Sequence, residues 1–173
     1  MAPIEALAVE LESIRAGAGR LFIAGMGGSA ANASHAASDF RKLCGIQAFC
    51  LSDNVAELTA RANDEGLDYI YHDALTVHRA ATGDALLILS VGGGCEEVSR
   101  PLVSAMTYAE TAGMSIYGIV GRDGGETAKR GKPVVIIPPV CKDRVTPHTE
   151  AFQMVIIHLL VSHPLLQKAK TKW

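Results

Sequence analysis

The sequence predicts an α/β fold, a three-layer α/β/α sandwich whose central layer is a five-stranded parallel sheet. Strand-like and helix-like segments alternate along all 173 residues. The strand-like segments are apolar throughout, which is typical of parallel strands that crossover helices bury on both faces. Such crossovers are almost always right-handed. Because the chain contains no internal repeat, low-complexity tract or linker, residues 1–173 are expected to form a single domain.

The first half of the chain supplies four helices and two strands. Helix 3–17 is rich in Ala, Leu and Glu, with apolar residues at helical spacing. Ser52-Asp53 is a plausible N-cap for helix 54–61. The other elements of this half are the strands 21–24 and 47–51 and the helices 29–43 and 66–81.

The second half supplies three strands and two helices. Strand 84–90 contains Ala-Leu-Leu-Ile-Leu and is apolar on both faces. The remaining elements are helix 95–112, the strands 114–120 and 133–137, and a final helix over 148–168.

Composition excludes several classes of protein. The net charge of −2 and the lack of a basic run give no reason to expect a nucleic-acid partner. The four cysteines lack CxxC spacing and fit reduced thiols better than disulfides or a zinc knuckle. No segment is long and apolar enough for a membrane span, and residues 1–5 do not resemble a signal peptide. We therefore expect a cytoplasmic protein that does not bind membranes.

Two glycine-rich turns follow predicted strands, and both fall at carboxyl ends, where open α/β sheets bind ligands. Backbone N–H groups exposed at such a turn, together with the positive end of a helix dipole, suit a phosphate or a carboxylate. The alternative for the first turn is an ordinary strand-to-helix turn that needs glycine for its backbone angles, and the alternative for the second turn is a flexible connection. The candidate phosphate-binding residues are Gly27, Gly28, Ser29, Ser90, Gly92, Gly93 and Gly94.

Four acid–base or metal-binding candidates lie on two predicted helices. His35 and Asp39 share one helix face because they are four positions apart. Glu150 and His158 point to roughly the same side of the last helix, but a straight helix separates them by about 12 Å. One metal ion could bind both only if the regular helix begins after Glu150, or if one of the two belongs to a neighbouring subunit's site. Pro147 makes the first option plausible.

The order of these motifs resembles the sugar isomerase (SIS) domain family, and most of all its phosphoheptose isomerase branch. The resemblance rests on Gly25-x-Gly-Gly-Ser-Ala-Ala-Asn-Ala-x-His35, on segments within 51–66 and 83–90, and on Gly121-Arg-Asp-Gly-Gly125. It covers nearly the whole chain. It implies a flavodoxin-like sheet, a homotetramer with active sites between subunits, a divalent metal that is commonly zinc, and aldose–ketose interconversion of a phosphosugar.

The resemblance also implies roles for single residues. Ser29 and Ser90 match serines that bind phosphate or substrate, and Asp64 matches a polar substrate contact. His35 matches a histidine that can bind metal, and His158 matches one assigned as acid–base partner or metal ligand.

The sequence departs from the family pattern in four places: two single acidic residues, one loop and Leu43. Asp39 replaces a glutamate that acts as base and metal ligand, and Glu150 replaces a glutamine. The second loop, normally Ser-Thr-Ser-Gly-Asn-Ser, is Ser90-Val-Gly-Gly-Gly-Cys95, and Leu43 stands where an arginine is usual. These changes suggest a divergent substrate.

We therefore expect a metal-assisted isomerase that works through a cis-enediol. The catalytic candidates are Asp39, Glu150 and His158, with either carboxylate as the base, and the metal candidates are His35, Asp39, Glu150 and His158. The alternatives are a non-catalytic SIS-type regulator that binds a phosphosugar or a protein, and an isomerase or epimerase of a different phosphosugar.

Overall fold

Five apolar segments pair in parallel into one sheet in the computed structural model, which describes residues 2–170. Within those residues the strand order is β2-β1-β3-β4-β5. The strands are β1 (Arg20–Gly25), β2 (Gln47–Cys50), β3 (Ala85–Ser90), β4 (Ser115–Gly121) and β5 (Val134–Ile137). The direction of strand succession reverses between β1 and β3, so the crevice for ligands is expected at their carboxyl ends.

Helices cover both faces of this sheet. They are α1 (Pro3–Ala16), α2 (Gly28–Cys44), α3 (Val55–Asp64), α4 (Ile70–Val77), α5 (Arg100–Thr111), α6 (Gly125–Arg130) and α7 (Val145–Val161), with 3₁₀ turns at Leu67–Tyr69 and Lys142–Arg144. None of the helices in residues 2–170 has both the length and the apolar character needed to cross a bilayer.

Alternate residues of β1 show how the two layers are built. Leu21 and Ile23 pack into the core beneath α1, α2 and α7, whereas Phe22 and Ala24 pack into the core beneath α4 and α5. The three central strands β1, β3 and β4 are buried on both faces and therefore show no polar alternation, which is the signal that predicts the parallel sheet. The edge strands β2 and β5 do alternate between buried and more exposed residues. The predicted α/β/α sandwich is confirmed.

Helix boundaries differ from the predicted ones mainly around prolines. Helix α5 begins at Arg100 rather than 95, because a helix from 95 would place Pro101 in its interior, where its ring clashes with the preceding turn. Helix α7 begins at Val145 and ends at Val161, before Pro164. The short helix α6 follows Gly124 and was not predicted.

The amino ends of β1 and β3 are joined by Arg20 and Asp84. Arg20 Nη2 lies 2.6 Å from Asp84 Oδ2, and Arg20 also donates its Nε and its backbone N–H to Oδ1. Burial alone would raise the pKa of Asp84, but the hydrogen bonds from Arg20 and from the Ala81 backbone hold that pKa below its usual value. This contact fixes the edge of the sheet opposite the ligand crevice.

Candidate active site

A cavity of about 630 Å³ lies at the carboxyl ends of the strands. Both glycine turns line it, and so does one carboxylate of α7; the lining includes Gly27, Ser29, Ser90, Gly92, Gly94 and Glu150. The structure thus brings together most of the residues that the sequence assigns to phosphate binding.

The first glycine turn leads from β1 into α2. Gly27 has φ +59°, a left-handed conformation that favours glycine, and its carbonyl accepts a hydrogen bond from Ala30 N–H at 3.0 Å. The hydroxyl of Ser29 is buried and has no hydrogen-bond partner among residues 2–170. A buried, unpartnered hydroxyl on the wall of a cavity is available to a ligand.

Tyr71 supports this turn from below. Its hydroxyl donates a hydrogen bond of 2.5 Å to the carbonyl oxygen of Gly25. Burial raises the pKa of Tyr71 to about 12, so the phenol stays protonated and remains a donor at neutral pH. The hydrogen bond therefore fixes where β1 ends and the turn begins.

The second glycine turn follows β3 and is held from two sides. Gly93 N–H donates to Ser90 Oγ at 3.0 Å, which leaves the hydroxyl proton of Ser90 free to donate. On the other side, the carbonyl of Gly93 accepts hydrogen bonds from the backbone N–H and the hydroxyl of Thr127, and the carbonyl of Gly94 accepts one from Glu126 N–H. The turn is thereby joined to the start of α6.

Glu150 reaches the cavity because α7 packs against α2. Asn32 on α2 donates hydrogen bonds of 2.9 Å to the backbone oxygen of Glu150 and to Gln153 Oε1. The carboxylate then lies directly against Gly28, where a Cβ would collide with it. The chain's own carboxylate thus occupies the space beside the amino end of α2 that the sequence assigned to phosphate.

A second cluster, the histidine–aspartate group, consists of His35, Asp39 and His158. One ligand atom from each residue lies within 4.8 Å of those from the other two. Asp39 Oδ2 lies 3.2 Å from His35 Nε2 and 3.8 Å from His158 Nε2. The two imidazole side chains are 52% and 49% exposed, whereas Asp39 is buried.

The donor set of this group fits a divalent metal. Asp39 Oδ2 is buried and makes no hydrogen bond of acceptable geometry among residues 2–170, although two imidazole nitrogens face it. An orphaned carboxylate oxygen beside two imidazoles is what a cation would compensate. Two nitrogens and one oxygen match the three protein ligands of open zinc sites.

The sequence-predicted residues thus fall into two places rather than one. None of the three members of the histidine–aspartate group lines the cavity, and Glu150 does not belong to that group. Glu150 and His158 of one chain could share an ion only if the regular helix began after Glu150. This condition is not met, because α7 is regular from Val145. The two residues are therefore about 12 Å apart along the helix.

Asp64 also lies apart from both places. It is exposed at the end of α3, where Asn63 Nδ2 donates a hydrogen bond of 2.7 Å to its Oδ1. It is not among the residues that line the cavity.

The loop after β4, to which the sequence motifs assign no role, also lines the cavity. This loop and α6 contribute five residues to the cavity wall: Arg122, Asp123, Gly125, Glu126 and Lys129. The run Gly121-Arg-Asp-Gly-Gly125 was the available signal, since glycines at the end of a strand mark a backbone that approaches a ligand or another loop.

Comparison with known proteins identifies the family. The model of the SIS domain matches residues 1–121. A phosphoheptose isomerase of Rhodospirillum rubrum is 31% identical over 161 residues, which is 90% of this chain and 80% of that protein. The lincomycin biosynthesis protein LmbN of Streptomyces lincolnensis is 32% identical over 148 residues, or 80% of this chain and 54% of that protein. The solved structure of a phosphoheptose isomerase from Neisseria gonorrhoeae superposes with a TM-score of 0.78 at 26% identity, covering 92% of this chain and 83% of that one. The chain belongs to the SIS domain family.

Proposed function

We propose that this protein is a phosphosugar isomerase that interconverts an aldose and a ketose. The observation that carries the proposal is the cavity at the strand ends, where two glycine turns and two serines meet a single carboxylate of α7. Relatives named phosphoheptose isomerase align over about nine-tenths of the chain and support the same conclusion.

The reaction moves a proton between two neighbouring carbons through a cis-enediol. It needs a base beside those carbons and an anchor for the distant phosphate, whose binding energy positions the reacting end. Glu150 lines the cavity and would act as the base. Ser29 and Ser90 have hydroxyl protons to donate to substrate oxygens.

The histidine–aspartate group would hold a divalent metal, with zinc as the expected ion, and a metal there would polarise the oxygen of a substrate carbonyl. His158, whose Nε2 lies 3.8 Å from Asp39 Oδ2, would pass a proton between the two substrate oxygens. Asp39 is the alternative base, and it is one methylene shorter than the glutamate that the family places there.

Assembly of several copies would unite the cavity with this group. Three apolar side chains on the outer face of α7, next to His158, are about half exposed: Phe152, Val155 and Leu159. We propose that a second copy covers this face, within a homotetramer whose active sites lie between subunits. We expect the assembly in the cytoplasm, where reducing conditions suit its four free cysteines.

The test is proton exchange by NMR. Sedoheptulose 7-phosphate is incubated in heavy water with the metal-loaded protein. Deuterium entering at C1 or C2, together with the appearance of the aldose, supports the proposal. Loss of deuterium exchange in Glu150→Gln assigns the base, provided that exchange is retained in Glu12→Gln, whose carboxylate lies on the solvent side of α1. An absence of exchange across a panel of phosphosugars would contradict the isomerase.

A non-catalytic regulator is the second candidate, and one observation favours it. Within one chain the histidine–aspartate group lies outside the cavity, so the cavity could bind a phosphosugar without reacting with it. Saturable binding of phosphosugars without deuterium exchange would identify this function. Exchange with another phosphosugar, but not with the heptose, would identify a different substrate.

A further inference from the structure

The charged side chains that line the cavity differ in whether they have partners within the chain. Two cations and three carboxylates line it. Lys129 is engaged, because its Nζ lies 2.6 Å from Glu126 Oε1. Glu126 also pairs with Arg130, at 3.1 Å between Nη2 and Oε2. Asp123 accepts the backbone N–H of Gly125 at 3.2 Å.

Arg122 is the cation left over. Its side chain is exposed, lines the cavity, and has no hydrogen bond or ion pair among residues 2–170. A guanidinium is always charged, and its fork of donors matches the oxygens of a phosphate.

The backbone of Arg122 is held in an unfavourable conformation. Its φ is +51°, in the left-handed region that non-glycine residues rarely adopt. The same conformation occurs at Arg79, outside the cavity wall, so at Arg122 it supports a function only together with the unpaired guanidinium that lines the cavity. The loop cannot relax freely, because Glu126 and Thr127 bind the second glycine turn.

The opposite end of the cavity is acidic. The carboxylate of Glu150 lies against Gly28, beside the amino end of α2. A phosphate at that end would meet a like charge, whereas at the second turn it would meet Arg122 and the hydroxyl of Ser90. The guanidinium of Arg122 therefore favours a phosphate at the second turn, where Asp123 and Glu126 also line the cavity, whereas the carboxylate of Glu150 disfavours one at the other end.

We propose that Arg122 binds the phosphate group of the substrate at the second glycine turn, so that the reacting carbons lie toward Glu150. This assignment rests on the proposed function for the identity of the phosphate ester. In this assignment the loop after β4 supplies a positive charge for the phosphate, which compensates for the few hydroxyl donors of the turn Ser90–Cys95.

Glycine substitutions provide the test. In Arg122→Gly the charge is removed and the left-handed φ becomes favourable, so the variant should fold with an unchanged or higher melting temperature. The matched control is Arg79→Gly, since Arg79 is also exposed, has φ +50° and lies outside the cavity wall. Inorganic phosphate is titrated into each protein by calorimetry.

We expect Arg122→Gly to weaken phosphate binding by about 10- to 100-fold, the range for a charge-assisted hydrogen bond. Arg122→Lys, which keeps the charge, should recover part of that loss, and Arg79→Gly should bind like the wild type. Phosphate binding that is equal in the wild type and Arg122→Gly, or undetectable in the wild type, would overturn the assignment.

The outcome is separable from that of the proposed function. Phosphate binding that depends on Arg122 without deuterium exchange would leave Arg122 assigned and remove the isomerase. Exchange with normal phosphate binding in Arg122→Gly would keep the isomerase and remove the role of Arg122.

Discussion

The cavity and the histidine–aspartate group are built in different ways. The cavity is formed largely by backbone: two glycine turns and the segment after β4 line it, and main-chain hydrogen bonds join the second turn to the start of α6. The histidine–aspartate group is formed by side chains that project from α2 and α7 to a half-exposed surface. The cavity suits the binding of a ligand, and the group suits the binding of a metal and the transfer of protons.

The difference teaches that one chain carries two candidate sites that are not joined, which we propose are the two halves of one active site. Ser29 and Asp39 lie on the same helix, about 15 Å apart along its axis. A substrate bound in the cavity of one chain therefore does not reach that chain's own Asp39. The exposed apolar face beside His158 indicates how a second copy would bring the halves together.

The largest effect is expected from Glu150→Gln, which removes the carboxylate of the cavity. Turnover should fall by about 10²- to 10⁴-fold, the usual contribution of a general base, while the melting temperature stays close to that of the wild type. Deuterium exchange at saturating substrate measures it. Turnover within a factor of two of the wild type would move the base to Asp39.

A second substitution tests whether the two halves meet through the apolar face of α7. Leu159→Glu would place an unpaired charge in the contact between copies, so assembly should be lost and turnover should fall at least about 100-fold. Light scattering during size-exclusion chromatography gives the mass. Val140→Glu, at an equally apolar position that is 78% exposed elsewhere, is the control. An assembled and active Leu159→Glu protein would contradict the proposed contact.

Metal binding tests the histidine–aspartate group alone. A metal at a hundredfold excess over its dissociation constant should stabilise the wild type by about 2.7 kcal/mol. His35→Asn should abolish that gain, and His148→Asn, on the same helix as His158, should keep it. Thermal unfolding with and without added zinc measures the gain, and elemental analysis gives the stoichiometry. An unchanged gain in His35→Asn would exclude this metal site.

The contact between Arg20 and Asp84, at the edge of the sheet opposite the cavity, should affect stability without affecting function. Asp84→Asn should lower the free energy of unfolding at pH 7 by about 1.5–3 kcal/mol, through loss of the charged hydrogen bonds to Arg20. Because the folded-state pKa of Asp84 is depressed, its contribution is present above the unfolded pKa of about 4 and is lost as pH falls below it. The variant should therefore show a flatter loss of stability in acid, with an unchanged KM. Exposed Asp143→Asn is the control, and urea unfolding from pH 3 to 7 measures the difference.

The smallest effect is expected from Tyr71→Phe, which removes the hydroxyl beneath the first glycine turn. The loss should be about 1 kcal/mol of stability, and KM should rise because the turn is held less firmly. Tyr108→Phe loses a comparable hydrogen bond to Ala80, outside the cavity, and should lose stability alone. Equal KM values in the two variants would show that the turn does not depend on Tyr71.

The sheet and its two glycine turns could be predicted because they depend on local signals. Apolar runs mark the strands, and Gly25–Ser29 and Ser90–Gly94 interrupt them at the ends that bind ligands. The pair His35 and Asp39 was predicted for the same reason, since four positions on a helix define a shared face.

The relation between the halves could not be predicted, because it depends on packing. Helix α7 begins at Val145, two residues before Pro147. With this start, Glu150 lies against Gly28 and His158 lies beside Asp39. Proline is tolerated within the first turn, so the sequence leaves that start open. Arg122 was missed because a single arginine among glycines follows no periodic pattern.

Complementation between inactive copies tests the union of the two halves most directly. Glu150→Gln damages the cavity and His158→Asn damages the histidine–aspartate group, so each variant alone should show little deuterium exchange. Refolding them together in equal amounts should restore about a quarter of wild-type activity, because random assembly pairs an intact cavity with an intact group in that share of sites. Mixed assemblies no more active than their parents would show that the two halves do not unite between copies.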